Sequence, residues 1–167
     1  PGTTHIEEFS GDNIVFEHAL DYLRKVQPRL LYITLGEADH YGHKGNYPKY
    51  LAKLRLYDQW LYGLTQTLDS LGEYGKQTTL IVTTDHGRGM GKDWIHHTGH
   101  SSAAYIWLYA SGPYTLAKGV LATSVLHSHT DIRPTIETIM GLKPEPKRGI
   151  GIGKPLPEVV WGLKFIK

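Results

Sequence analysis

The stretch that decides the fold is residues 30–35 (LLYITL), an apolar run of strand length that ends shortly before the segment 39–43 (DHYGH). A second apolar run, residues 79–84 (TLIVTT), is followed directly by Asp85-His86-Gly87. Continuous apolar runs of this length are typical of strands buried in a parallel sheet. Open α/β sheets bind ligands beyond the carboxyl ends of their strands. The sequence therefore predicts two carboxylate–imidazole pairs at that edge of a sheet.

Helical periodicity separates the apolar runs. The predicted helices are residues 12–26, residues 46–71 with Pro48 in the first turn, and residues 131–140 with Asp131 near the N-cap. The predicted strands are residues 30–35, 79–84 and 104–110, with residues 120–126 as a candidate fourth. This alternation predicts an α/β fold with a mostly parallel sheet that is covered by helices on both faces.

Bulk properties exclude several classes of protein. The chain has 167 residues, 40% of them hydrophobic, which suits one domain with a sizeable core. A net charge of +2 without a dense Lys/Arg run argues against a nucleic-acid-binding patch. No apolar run predicts a membrane segment or a signal peptide. The absence of cysteine excludes disulfides and thiolate zinc sites.

The spacing of acidic and histidine residues indicates a metal site. Asp39 and His43 are four residues apart, with Gly42 between them to allow a tight turn, and both can reach one Zn²⁺ at about 2.0–2.2 Å. Taken alone, the Asp39/His43 pair fits a loop aspartate beside a surface histidine better than a pair of ligands, and Asp85-His86 alone is a weaker indication still. The combination favours a metal site, because both pairs follow apolar runs and a third histidine cluster comes next. That cluster contains His96, His97 and His100.

These motifs resemble those of the alkaline phosphatase superfamily, and most closely its nucleotide pyrophosphatase/phosphodiesterase-like branch. The similar elements are Glu37-Ala38-Asp39-x-x-Gly42-His43, Thr84-Asp85-His86-Gly87 and His97-Thr98-Gly99. The helix at residues 131–136, followed by Gly141-Leu142, also resembles one near the end of that domain. The resemblance covers about residues 29–142. In sulfatases, by comparison, the Asp-x-x-x-His element is not expected.

The resemblance implies two divalent metal ions. The first would be held by Asp39, His43 and His97, with His96 and His100 as alternatives to His97. The second would be held by Asp85 and His86, and completed by an aspartate and a Ser/Thr nucleophile from an earlier segment. Nitrogen and oxygen ligands suit Zn²⁺, with Mn²⁺ as the alternative.

The nucleophile is expected to lie outside this chain. In the family it precedes the first metal motif by a long segment, whereas only 38 residues precede Asp39 here, and Thr3 and Thr4 stand in the wrong position. The chain also starts Pro1-Gly2, which is no initiator sequence. We therefore expect residues 1–167 to be the C-terminal part of one alkaline-phosphatase-like metal-dependent hydrolase domain, incomplete at its N-terminus. The missing N-terminal part of the same domain would be its partner.

The function implied is metal-dependent hydrolysis of small phosphate mono- or diesters, and the family resemblance favours a periplasmic or extracellular location. Two alternatives remain open: a non-catalytic metal-binding fragment, and a phosphomutase of the same superfamily. Arg88 could face a substrate oxyanion or lie exposed on a loop. His127 and His129 are expected to cap the last helix or support ligands rather than bind metal.

Overall fold

The protein is described by a computed structural model over residues 11–121, 125–144 and 153–165. The chain divides into two compact units. The first unit comprises Pro1–Lys76 and His86–Tyr105, and the second comprises Gln77–Asp85 and Ile106–Lys167. Thr3 and Thr4 lie outside the described residues.

The first unit is helical. Its α-helices are α1 (Asp12–Val26), α2 (Glu37–His43), α3 (Tyr47–Ser70) and α4 (Glu73–Lys76), and its two 3₁₀ helices are Gly91–Ile95 and Ser101–Ala104. The predictions of helices at residues 12–26 and 46–71 are confirmed. Asn46 caps α3 by accepting from the Lys49 N–H at 3.1 Å, and Gly72 follows the helix with φ 61°.

The core of the first unit lies where α1 packs against α3. Phe16 is buried and stacks on Trp60, with ring centroids 4.9 Å apart and an interplanar angle of 7°. Ala19, Leu23 and Leu64 are buried as well. Buried apolar side chains of both helices thus form this core.

In its described residues, the second unit contains a small sheet and the α-helix α5. Strands β1 (Leu80–Thr83) and β2 (Leu108–Ser111) pair antiparallel, with Leu80 opposite Ser111 and Thr83 opposite Leu108. Helix α5 (Ile132–Ile139) follows the 3₁₀ helix His129–Asp131, which confirms the predicted last helix. The fully buried Thr135 of α5 accepts a hydrogen bond from the Leu156 N–H at 2.8 Å. A further 3₁₀ helix spans Trp161–Phe165.

The predicted parallel arrangement is wrong for the described strands, which run antiparallel. Residues 30–35 carry no regular secondary structure, and part of the predicted strand 104–110 belongs to the 3₁₀ helix Ser101–Ala104. A strand forms only where a neighbouring strand satisfies its backbone N–H and C=O groups. An apolar sequence alone does not supply that neighbour. Within the described ranges, residues 30–35 form no ladder, and Tyr32 is 86% exposed. The candidate strand 120–126 lies partly outside the described residues, and its described positions are not in a strand.

None of the helices in the described residues has both the length and the apolarity that a membrane span needs.

Loss of the stacked Phe16 ring should destabilise the protein. We expect Phe16→Ala to lower the free energy of unfolding by about 3–5 kcal/mol, because the ring leaves a cavity between α1 and α3. Urea titration followed by circular dichroism measures this. Ile14→Ala is the control, since Ile14 lies on the same helix and is 43% exposed. Equal effects of the two substitutions would contradict the proposed core.

Candidate metal centre

Helix α2 carries the first two predicted ligands, and a buried carboxylate of α1 fixes where it begins. Asp12 is only 5% exposed. Its Oδ1 accepts from the Gly36 N–H at 3.0 Å and its Oδ2 from the Glu37 N–H at 2.8 Å. These are N–H groups that a helix N-terminus leaves without an internal partner, and the helix dipole favours a negative charge there. Asp12 therefore anchors the short helix α2 to α1.

A tyrosine of α3 completes this anchor. The Tyr57 hydroxyl donates to Asp12 Oδ2 and accepts from the Ala38 N–H, the latter at 3.1 Å. Burial, together with the hydrogen bond to Asp12, raises the pKa of the Tyr57 phenol above its usual value. The phenol consequently keeps its proton and remains a donor to the carboxylate. The start of α2 is thus fixed by both long helices of the unit.

Asp39 and His43 lie on one face of α2, one turn apart. Their nearest ligand atoms, Asp39 Oδ2 and His43 Nε2, are 3.4 Å apart, and both side chains are 41% exposed. The sequence suggested a tight turn at Gly42, but the backbone there is helical. Helical spacing of four residues brings the two side chains together without any turn.

Two histidines from the segment after β1 join this pair. His86 Nε2 lies 3.7 Å from Asp39 Oδ1. The His86 and His97 rings stack, with centroids 3.8 Å apart and planes 16° apart, and the His97 ring also meets His43 edge-on at 5.1 Å. Residues separated by more than fifty positions therefore form one cluster, which we call the His/Asp cluster. Its members are Asp39, His43, His86 and His97.

Hydrogen bonding and burial prepare two of these rings for ligation. His86 Nδ1 lies 2.8 Å from the Gly87 carbonyl oxygen. A carbonyl only accepts, so Nδ1 of the neutral ring carries the proton and Nε2 keeps its lone pair. Partial desolvation, followed by the neighbouring His86, lowers the pKa of His97. The lowered pKa favours neutral imidazole, which is the form that binds metal.

The third histidine cluster offered three candidates. Among the described ring contacts, those with His43 and His86 are made by His97. His96 is exposed, and its carbonyl accepts from the Gly89 N–H at 2.8 Å. The geometry thus favours His97, whose role as a ligand stays a prediction.

Arg88 is neither exposed on a loop nor free to face a substrate oxyanion. Its side chain is 13% exposed, and its guanidinium bonds Asp39 through both Oδ1 and the carbonyl oxygen, the latter at 3.0 Å. The carbonyls of Trp94 and Ile95 accept from it at 3.2 and 3.3 Å. Apart from the position of Arg88 next to Asp85-His86-Gly87, nothing in the sequence indicates this role.

Asp85 belongs to the second unit, where it follows β1. In that unit His129 Nε2 lies 2.7 Å from the carbonyl of Thr84, the residue before Asp85. His127 lies between Asp131 and Glu158, with nitrogen–oxygen distances of 3.9 and 3.6 Å. Supporting roles for both histidines agree with these contacts, and metal binding by Asp85 stays a prediction.

The donor types of the His/Asp cluster fit Zn²⁺ or Mn²⁺, since they are carboxylate oxygens and imidazole nitrogens. The arrangement itself is not yet that of a metal site. In the described part of the chain, no group of three or more His, Asp or Glu side chains is placed to hold an ion. Two features account for this: Arg88 occupies Asp39 Oδ1, and the nearly parallel rings of His86 and His97 do not point their lone pairs at one point.

Comparisons with known proteins agree with metal chemistry. Residues 3–144 match a protein family described as the Metalloenzyme superfamily. The chain is also 27% identical over 139 residues to a 2,3-bisphosphoglycerate-independent phosphoglycerate mutase of Natronomonas pharaonis. That alignment covers 78% of this chain and 25% of the relative, so the chain spans about a quarter of the relative's length. No solved structure matches.

The anchor of α2 can be tested by one isosteric change. We expect Asp12→Asn to lower the free energy of unfolding by about 1.5–3 kcal/mol, because a charged acceptor is lost and an amide N–H faces donors instead. Metal affinity should fall as well, since α2 carries Asp39 and His43. Thermal and urea unfolding, with zinc titration, measure both. The exposed Asp21→Asn on the same helix is the control, and an Asp12 variant that behaves like it would refute the anchor.

Alanine substitutions can identify the ligand in the third cluster. We expect His97→Ala to weaken Zn²⁺ binding by more than the 10–100-fold that is typical, roughly, for loss of an outer partner. His96→Ala and His100→Ala should have smaller effects. Competition with a chromophoric chelator gives the dissociation constants. If substitution of His96 or His100 weakens Zn²⁺ binding most, the third cluster still supplies a ligand but the assignment of His97 is wrong.

Proposed function

The chain belongs to the Metalloenzyme superfamily, and on that premise we propose that it is the C-terminal part of an alkaline-phosphatase-like domain that acts on phosphate esters. The observation that carries this proposal is the His/Asp cluster. Four side chains with metal-ligand chemistry meet within one unit, although they come from α2 and from the segment after β1. A helix anchored by Asp12 and Tyr57 is a rigid base for such a site.

The proposal includes two ions, as the family resemblance implies. The planes of His86 and His97 are nearly parallel and their centroids are 3.8 Å apart. Ions in two-metal phosphate enzymes lie about 3.5–4 Å apart, and in this proposal each ring serves its own ion. In this proposal Asp39, His43 and His97 hold the first ion, and Asp85 and His86 hold the second. Zn²⁺ suits these nitrogen and oxygen ligands, and Mn²⁺ is the alternative.

The bound ions would supply Lewis-acid stabilisation of phosphoryl oxygens and activation of an attacking hydroxyl. The chain's own residues prepare for this. The Gly87 carbonyl accepts from His86 Nδ1 and so favours the tautomer that is protonated at Nδ1. Asp39 and His43 are 41% exposed, which leaves the cluster open to a small phosphate ester. The attacking Ser/Thr hydroxyl and the remaining carboxylate ligand would come from residues outside 1–167.

The complete domain would also supply the partner strands. The apolar run 30–35 contains Leu30 and Tyr32, both exposed in the structure. Pairing with strands from outside the described residues would cover this run and convert it into part of a mostly parallel sheet. Asp39 would then lie beyond the end of a strand, which is where open α/β sheets bind their ligands.

Phosphate transfer is the second candidate, because the curated relative that matches is a phosphoglycerate mutase. Both reactions need a metal-activated nucleophile, and they differ in where the phosphoryl group goes. A hydrolase gives it to water, whereas a mutase returns it to another hydroxyl of the substrate.

Product analysis separates these activities. The full-length protein should be incubated with an aryl phosphate monoester, an aryl diester and a phosphoglycerate, with Zn²⁺ or Mn²⁺, and followed by ³¹P NMR. Metal-dependent release of inorganic phosphate supports the hydrolase, and positional isomers without release support the mutase. Asp39→Asn should abolish either activity, whereas the exposed Asp58→Asn should not. Metal binding without turnover would leave the non-catalytic fragment as the function.

Residues 1–167 alone should turn over aryl phosphate mono- and diesters at no more than trace rates, even with zinc added. The expected loss is several orders of magnitude, because the nucleophile and part of the second ion's ligand set are absent. The comparison is with a longer protein at matched metal loading. Robust turnover that survives Thr3→Ala and Thr4→Ala would contradict the two-part site.

A further inference from the structure

The guanidinium of Arg88 makes several hydrogen bonds within the first unit. Nη2 bonds the side-chain Oδ1 and the main-chain carbonyl of Asp39, and Nη1 bonds the carbonyls of Trp94 and Ile95. Its Cζ also lies 5.7 Å from the centre of the Tyr50 ring. Four acceptors match the four N–H groups of the two terminal nitrogens. The group therefore has little donor capacity left for a substrate oxyanion.

Gly42 makes this position of Arg88 available. A Cβ at Gly42 would overlap Cζ and both terminal nitrogens of the guanidinium. The backbone of Gly42 is helical, so the glycine is not needed for a turn. Its missing side chain is what lets the guanidinium lie against α2, within reach of Asp39.

The two oxygens of Asp39 are consequently unequal. Oδ1 is engaged by Arg88, while Oδ2 faces His43 Nε2 at 3.4 Å. A carboxylate held in this way offers one oxygen to an incoming cation in a fixed direction. Outer-shell hydrogen bonds that orient a ligand in this manner contribute strongly to metal affinity in other proteins.

We propose that Arg88 is a positioning residue that engages Asp39 Oδ1 and thereby restricts metal ligation by Asp39 to Oδ2, on the side of His43. The inference rests on the proposed metal site. It goes beyond that site in assigning a function to Arg88 and Gly42 and in specifying one-oxygen ligation by Asp39. The same bonds fasten α2 to the 3₁₀ helix Gly91–Ile95, which precedes His96 and His97.

Arg88→Lys separates position from charge. Lysine keeps the positive charge but cannot reproduce the planar four-bond arrangement. We expect Zn²⁺ affinity to fall by about 10–100-fold, as for other outer-shell partners. Arg24→Lys is the control, because Arg24 is another arginine of the same unit and bonds Thr67 on α3 at 3.1 Å. An Arg88→Lys protein with wild-type zinc affinity would overturn the inference.

Gly42→Ala provides a second test that leaves Arg88 in the chain. The new methyl group should displace the guanidinium and lower zinc affinity in the same direction. Gly63→Ala in α3 is the control, since a Cβ at Gly63 meets nothing within 4 Å. Both glycines are helical, so helix propensity favours alanine at each and cannot explain a loss at Gly42 alone. Unchanged affinity in Gly42→Ala would also contradict the inference.

The visible spectrum of bound Co²⁺ reports on ligation directly. Arg88→Lys and Gly42→Ala should change the intensity and position of the Co²⁺ bands, because Asp39 gains a second free oxygen, while both controls keep the wild-type spectrum. Identical spectra in all five proteins would refute one-oxygen ligation set by Arg88. If the wild-type protein binds neither Zn²⁺ nor Co²⁺, the proposed function fails together with the inference. Binding that is indifferent to Arg88 and Gly42 overturns the inference alone.

Discussion

The buried carboxylate of Asp12 is the interaction on which the candidate site depends. It holds the first N–H groups of α2, and the Tyr57 hydroxyl ties the same carboxylate to α3. A helix of seven residues is too short to be stable alone in water. Its two metal-type side chains therefore keep their positions because α1 and α3 hold the helix at its start. A change in the core between α1 and α3 would be transmitted to Asp39 through this anchor.

The electrostatic balance at Asp39 is the second constraint. Its carboxylate is shared between a cation of the protein, Arg88, and two imidazoles, His43 and His86. Without a metal ion, Arg88 compensates the charge of Asp39. If an ion binds as proposed, the carboxylate would serve both cations, Arg88 through Oδ1 and the ion through Oδ2. The lowered pKa of His97 adds a neutral donor beside them.

The sequence predicted the helices better than the strands. Periodic apolar positions in residues 12–26 and 46–71 suffice for helices, because a helix satisfies its backbone hydrogen bonds internally. A strand depends on its neighbours, so the apolar run 30–35 could not indicate whether a partner strand would be present. The same dependence explains why the two described strands run antiparallel although their composition suggested a parallel sheet.

At the site, the sequence paired Asp39 with His43 through an expected turn, whereas the structure pairs them because residues four apart meet on a helix face. The sequence does not indicate the roles of Asp12 and Tyr57, because their contacts with residues 36–38 span long sequence separations. Glycine can permit a tight turn or leave room for a neighbouring side chain, and the sequence alone suggests the turn at Gly42. The position of Arg88 shows that the second role applies. Periodicity and spacing predict local geometry, whereas contacts between residues far apart in the sequence are known only from the structure.

Anomalous X-ray diffraction at the zinc edge, from crystals of the protein grown with Zn²⁺, tests the central claim most directly. We expect an anomalous peak at about 2.0–2.2 Å from Asp39 Oδ2, His43 Nε2 and a ring nitrogen of His97. Arg88 should remain on Asp39 Oδ1 in that structure. A fully loaded crystal with no peak in the His/Asp cluster, or with a peak whose ligands omit Asp39 and His43, would contradict the account.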